Sequence, residues 1–228
     1  YRHQYDKLYL IEGTESKYPG VKKALDNYNK QTGAISEEWD ESELVEIARE
    51  QKANTGSEYF SNYYDETNSY ISRLDENVIS IVEDFSSYYG GAHGYYGLSG
   101  QSYDAKTGEE LSILDVVSNL DDLRSAAQEI FSRDYPMILE GEPGSEEALS
   151  NSFDDENGLV WSLGPTCLSL YYNPYTLASY AAGMQQIDIR YTDYPKLFNK
   201  GIVEQEGDWA IKARNLMEDI DNDGALDY

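Results

Sequence analysis

Ser69-Tyr70-Ile71-Ser72-Arg73-Leu74-Asp75-Glu76-Asn77-Val78-Ile79-Ser80-Ile81-Val82-Glu83-Asp84-Phe85 sets two apolar-rich runs, with Ile79, Ile81 and Phe85 at period-two positions, on either side of a short acidic break. Alternation at period two marks a half-buried strand, and Asp75-Glu76-Asn77 between two such runs reads as a turn. Residues 70–74 and 78–89 therefore form an antiparallel hairpin, with Ile79, Ile81 and Phe85 on one face. A further strand follows and ends in Asp104-Ala105-Lys106-Thr107-Gly108, again a turn composition.

Before the hairpin the spacing is different. Residues 3–12 read as an opening strand carrying Tyr5, Leu8, Leu10 and Ile11. Ser16 and Pro19 signal a helix start, and Val21, Ala24, Leu25 and Tyr28 fall on one helical face before Gly33 interrupts. Asp40 and Glu43 form a capping-box pattern ahead of a second helix with Leu44, Ile47 and Ala48. After the turn at 104–108, Ser112 caps a short helix through Val117. Leu120, Leu123, Ala127, Ile130 and Phe131 then give the clearest amphipathic helix, which Pro136 ends or kinks. Residues 140–157 read as an acidic loop, 159–163, 166–172 and 186–191 as strands, and 194–198 as a short helical turn. Runs of strands and runs of helices without βαβ alternation make this an α+β chain with antiparallel sheet and packed helices. Two closely joined subdomains are expected, residues 1–95 and 96–200, followed by an acidic tail over 201–228.

The formal net charge of the 228 residues is −26. Nucleic acid is excluded as the natural partner, because phosphate binding needs positive patches, and an anionic membrane surface is disfavoured for the same reason. The acid is unevenly placed. Residues 85–103 and 157–187 contain no Asp, Glu, Lys or Arg, yet they hold nine Tyr: 88, 89, 95, 96, 103, 171, 172, 175 and 180. The second stretch is long enough for a membrane span, but Gly158, Gly164, Pro165, Asn173, Pro174 and Gly183 break it into strands and turns. Membrane insertion by this segment is not expected. Cys167 is the single cysteine, so no internal disulfide forms, and it reads as a small buried hydrophobe. The first residue is Tyr1 and no basic-then-apolar leader follows, so the chain reads as a processed or trimmed form.

Four pieces in order carry a resemblance. They are Val78-Ile79-Ser80-Ile81-Val82, Tyr88-Tyr89-Gly90-Gly91-Ala92-His93-Gly94, residues 103–112, and Leu170-Tyr171-Tyr172-Asn173-Pro174-Tyr175-Thr176-Leu177-Ala178-Ser179-Tyr180-Ala181-Ala182-Gly183. Over roughly residues 1–200 the chain resembles the exported tandem domains of RsiV-type anti-sigma factors, a type of region that also accompanies some bacterial peptidoglycan deacetylases. The resemblance implies an extracytoplasmic α+β domain of a bacterium, extracellular or at the cell surface, without catalytic activity of its own. In the RsiV branch it implies a receptor for lysozyme, a basic wall-degrading enzyme. The chain departs from that branch in showing no cytoplasmic anti-sigma segment and in extending beyond about residue 200.

The chemistry of the residues agrees with a binding role. Only His3 and His93 are present, with no nucleophile elbow, zinc-binding helix motif or phosphate loop. His93 among glycines reads as an imidazole bonded to backbone at a tight crossing, and no enzyme activity is expected. Asp219, Asp221, Asp223 and Asp227, with the Ala225 carbonyl, fit positions 1, 3, 5, 9 and 7 of a calcium loop. Position 12 would fall beyond Tyr228, so the Ca2+ site is expected to be weak; the alternative is a disordered acidic end or a truncated repeat. Adjacent tyrosines around a Pro turn cannot all face one side of a sheet, so Asn173, Pro174, Tyr175 and Tyr180 are expected to form an exposed recognition edge. The expected partner is wall-associated: a basic protein such as lysozyme, drawn in by the acidic charge, or, as the alternative, a cell-wall glycan.

Overall fold

The structure, a computed structural model, describes residues 2–37, 41–56 and 62–203. It is α+β, built on two sheets. The first contains β1 (Arg2–Tyr5), β2 (Tyr64–Leu74), β3 (Val78–Tyr88) and β4 (Tyr95–Asp104) in that spatial order. The second contains β5 (Trp161–Leu163), β6 (Cys167–Tyr172) and β7 (Gln185–Arg190), all antiparallel. The helices are α1 (Pro19–Glu37), α2 (Glu41–Thr55), α3 (Ile113–Val116), α4 (Leu120–Asp134), α5 (Pro136–Gly141) and α6 (Ser145–Asn151).

The hairpin forms where alternation places it, with a register shift between Ile71 and Arg73. β2 begins six residues earlier than expected. Its opening half, Asp65-Glu66-Thr67-Asn68-Ser69, is polar and shows no alternation, yet it pairs with β3 on one side and with β1, in parallel, on the other. Ile79, Ile81 and Tyr103 close over the expected face of α1, where Ala24, Leu25 and Tyr28 are buried. The helix runs through Gly33, since one glycine in a helix interior costs only about 1 kcal/mol against alanine. The opening strand stops at Tyr5. Beyond it, the Asn29 carboxamide holds Leu8 by accepting from its N–H at 2.9 Å and donating to its C=O at 2.7 Å. The Asp40 cap lies outside the described residues.

The second core gathers α4 (Leu123, Ala127, Ile130, Phe131) against Leu168, Leu170, Ile187 and Ile189 of the second sheet. β7 alternates buried and exposed residues without exception, as its sequence indicates. Ser112 caps α3 as expected, and Asp115 completes a capping box with it. Pro136 occupies the first turn of a new helix, where its missing N–H costs nothing. The acidic loop expected over 140–157 is largely helical: Gly144, with φ of 98°, leads into α6, which buries Leu149. Residues 194–198 form turns, ending where Phe198 bridges to Val117. Cys167 is half-buried, its Sγ 3.8 Å from Ser169 Oγ.

Serines join the two sheets. Leu163 N–H donates to Ser80 Oγ at 3.0 Å, Ser72 Oγ donates to Leu163 C=O at 2.9 Å, and Ser80 meets Ser102 at 2.8 Å. Gly100 makes the approach possible, because a Cβ there would lie 2.0 Å from Trp161 O. Arg73 is 4% exposed; it pairs with Asp75 and donates to Tyr191 Oη at 3.2 Å, so a hairpin arginine is locked to the end of the second sheet. The expected 95/96 divide falls one residue inside β4, which pairs with β3 along ten positions and carries the first sheet on to Asp104. No helix among the described residues is long and apolar enough to cross a membrane. The tail over 204–228 lies outside the described residues.

Candidate functional site

The two uncharged stretches meet at one end of the first sheet. The first supplies the segment between β3 and β4; the second supplies the segment between β6 and β7. Thr176 N–H donates to Asn173 C=O at 3.0 Å, which makes Asn173-Pro174-Tyr175-Thr176 a β-turn. Pro at the second position and positive φ at the third define type II. The third position belongs to Tyr175, with φ of 74°, the one non-glycine residue with positive φ among the described residues. An L side chain held there costs on the order of 1 kcal/mol or more, and such strain clusters at functional sites. The turn lifts Tyr175 to 59% exposure.

The four residues expected to form an exposed edge separate into two roles. Tyr175 is exposed and Tyr180 half-exposed, and their rings lie 5.5 Å apart. Pro174 is buried beneath the turn and Asn173 is half-buried, which corrects the expectation that both are exposed. The reason is that Asn173 ties the turn to the first sheet. Its Oδ1 accepts from Leu98 N–H at 2.9 Å and its Nδ2 donates to Leu98 C=O at 3.0 Å. Gly97 leaves room for this, since a Cβ there would lie 2.6 Å from Asn173 Cγ and 2.7 Å from Phe85 Cζ.

His93 joins the two exposed tyrosines. Its ring stacks on Tyr180 at 3.8 Å and 21°, and its Nδ1 lies 2.8 Å from Gly94 O. A carbonyl only accepts, so Nδ1 is the donor to Gly94, and Nε2 lies 3.2 Å from the Tyr175 hydroxyl. Tyr180 Oη donates to the same Gly94 C=O at 2.9 Å, and Tyr96 meets the Tyr180 ring edge-on at 5.7 Å. Burial among these rings raises the Tyr180 pKa, with Tyr96, Tyr175 and Tyr64 adding to it. The phenol therefore remains a neutral donor. The aromatic surface continues through Tyr95, against Phe85 at 5.8 Å, and through Tyr64 stacked on Tyr88 at 6.4 Å. Tyr95, Tyr96 and Tyr89 are exposed.

The result is a crest of ring faces and hydroxyls drawn mostly from the two uncharged stretches, with Asp65 at its margin accepting from the Tyr89 hydroxyl at 2.7 Å. It can offer apolar contact area and directed hydrogen bonds at low side-chain entropy cost. His93 and Tyr96 were absent from the expected edge. The signal that could have found them is the uncharged stretch 85–103, which matches 157–187 in composition. The calcium-loop residues Asp219, Asp221, Asp223, Ala225 and Asp227 lie outside the described residues. Within those residues there is no group of three or more His, Cys, Asp or Glu placed to hold a metal.

Residues 115–192 match the family model described as a protein of unknown function, DUF3298. Two solved structures of that family are similar. One, from Bacteroides fragilis, aligns with a TM-score of 0.62 at 19% identity, covering 83% of this chain and 81% of its own. The other, from Pseudomonas aeruginosa, aligns with a TM-score of 0.46 at 16% identity, covering 61% and 64%. The first likeness speaks to the fold, and the α+β architecture is common to both chains. No curated protein matches. The matched segment includes Tyr175 and Tyr180, whereas His93 and Tyr96 come from outside it.

Proposed function

We propose that the chain is a non-catalytic, exported binding or sensory domain of the RsiV type, at the bacterial cell surface, and that the aromatic crest holds a wall-associated partner. The observation that carries this reading is Tyr175, exposed to 59% on a strained turn and backed by His93 and Tyr180. A side chain kept in that conformation at the surface adds little to a core. The sharpest candidate partner is a basic protein such as lysozyme. A net charge of −26 speeds encounter with a cation, and the uncharged rings supply the contact after it.

Calorimetric titration of the full chain with lysozyme tests the proposal. Binding should weaken by about tenfold or more in Tyr175→Ala or Tyr180→Ala, as expected for buried aromatic anchors. It should also weaken with added salt, through screening of the acidic field. Full-strength binding by both folded variants would overturn the role of the crest.

The exposed rings also favour a second reading, an accessory module for cell-wall glycan, in which a pyranose lays its C–H face on Tyr175 or Tyr180. Binding of wall fragments in parallel, insensitive to salt, would select it. The proposal extends to Ca2+ in the tail, held by Asp219, Asp221, Asp223, the Ala225 carbonyl and Asp227. Calcium titration of the full chain against Asp221→Asn with Asp223→Asn tests that part by itself.

A further inference from the structure

The outer edge of β4 is read by carboxamide chemistry. Its even-numbered residues point their peptide groups away from β3. Asp104 N–H donates to Glu109 C=O at 2.9 Å, Ser102 C=O accepts from Leu111 N–H at 2.8 Å, and Leu98 exchanges both groups with Asn173. The register with β3 is unbroken from Val78↔Asp104 to Ser87↔Tyr95, so Tyr96 has the same orientation as Leu98. Just before the strand, Gly94 C=O accepts from the Tyr180 hydroxyl. Side chains thus occupy this edge at 94 and at 98. Between them the outward N–H and C=O of Tyr96 meet no partner among the described residues, and Tyr96 is 37% exposed.

The opening is one residue wide. An extended strand entering it would run into Asn173 on one side and Tyr180 on the other. A primary carboxamide approaching end-on fits, because one of its N–H bonds lies beside its C=O and the two can meet the C=O and N–H of a single residue. The chain makes this contact twice within itself, Asn173 on Leu98 and Asn29 on Leu8.

We infer that Tyr96 is a carboxamide-recognition point, taking an Asn or Gln side chain of the protein partner between Asn173 and Tyr180. This deepens the protein-binding reading and rests on it. A secondary amide does not fit, since its N–H points opposite to its C=O. A carboxylate does not fit either, having nothing to donate to Tyr96 C=O. The point therefore separates Asn and Gln from Asp and Glu on the partner.

The test uses the 15N-labelled full chain and three small probes: propionamide, N-methylpropionamide and propionate. Propionamide should move the Tyr96 amide proton downfield and saturably, with an effect at least fivefold larger than either other probe, while Leu98 stays still because Asn173 occupies it. In Asn173→Ala, Leu98 should respond to propionamide as Tyr96 does. A Tyr96 signal that ignores propionamide, or answers all three probes alike, overturns the inference. Lysozyme is titrated into the same samples. Lysozyme binding at the crest without a Tyr96 response to propionamide would leave the binding reading standing and remove this one. A Tyr96 response without lysozyme binding would keep the recognition point and remove lysozyme as the partner.

Discussion

Replacing Asn173 by Leu keeps the size of the side chain and deletes its polar end. Two hydrogen bonds disappear, Leu98 N–H to Oδ1 at 2.9 Å and Nδ2 to Leu98 C=O at 3.0 Å. Each contributes about 1 kcal/mol net, and the half-buried Leu98 groups left facing an apolar side chain add a desolvation cost of similar size. The expected loss is about 2–4 kcal/mol, a large share of the roughly 5–15 kcal/mol available to a domain. Urea unfolding followed by tyrosine and tryptophan fluorescence reads this as a midpoint lowered by about 1–2 M at unchanged slope. Partner binding should fall as well, because the tie that positions Tyr175 is lost. Asn173→Asp separates the two bonds. It can still accept from Leu98 N–H, but at neutral pH it sets a carboxylate oxygen against Leu98 C=O, and acid should restore part of its stability. A loss below about 0.5 kcal/mol in Asn173→Leu would refute the claim that this carboxamide holds the crest together.

Three further outcomes follow from the same geometry. Asp75→Ala strands the buried Arg73 guanidinium and removes the acceptor of the Asn77 and Val78 N–H groups, so chemical unfolding should show a loss of about 3–5 kcal/mol; a smaller effect from Arg73→Met with Asp75→Asn is expected, since no charge is then left unpaired. Tyr175→Gly relieves the positive φ, and thermal unfolding should show stability held or raised by about 0.5–1 kcal/mol while binding is lost; a fall beyond about 1 kcal/mol would place the ring in the core instead. Burial pushes Tyr172 up to about 12, and Tyr191 up to about 12 against the lowering effect of Arg73. Their contribution is complete below pH 10, where folded and unfolded chains both keep the proton. It is lost as pH rises from about 10 to 12, at about 1.4 kcal/mol per pH unit for each, and unfolding free energies flat across that range would contradict it.

The parts of the fold visible in the sequence are those with a strong period. The face of α1, helix α4 and the alternating β7 could be read because burial there follows spacing. β3, by contrast, is buried on both faces from Val78 to Val82, and the hairpin shows through the polar break at Asp75-Glu76-Asn77. The first half of β2 could not be read, since Asp65 through Ser69 are polar and their strand state comes from pairing, with β3 throughout and with β1 as far as Thr67. Helix α6 was hidden in a run of acid, because only Ala148 and Leu149 mark its inward face. At the site, the Pro turn and Tyr175 were legible from composition. The inward role of Asn173 was not, because it depends on contact with Leu98, 75 residues away in sequence, and the burial of Pro174 beside it leaves no mark in composition. The sequence places His93 against backbone among glycines, but its stacking on Tyr180 depends on the two uncharged stretches meeting in space.

The most direct measurement is amide hydrogen exchange across the full chain, with and without lysozyme, at low salt. New protection should gather in residues 90–98 and 173–183, diminish as salt is raised, and need about tenfold or more lysozyme to reach the same level in Tyr175→Ala. Protection centred on helices α1 or α4, or none in the crest while lysozyme is bound, would contradict the account.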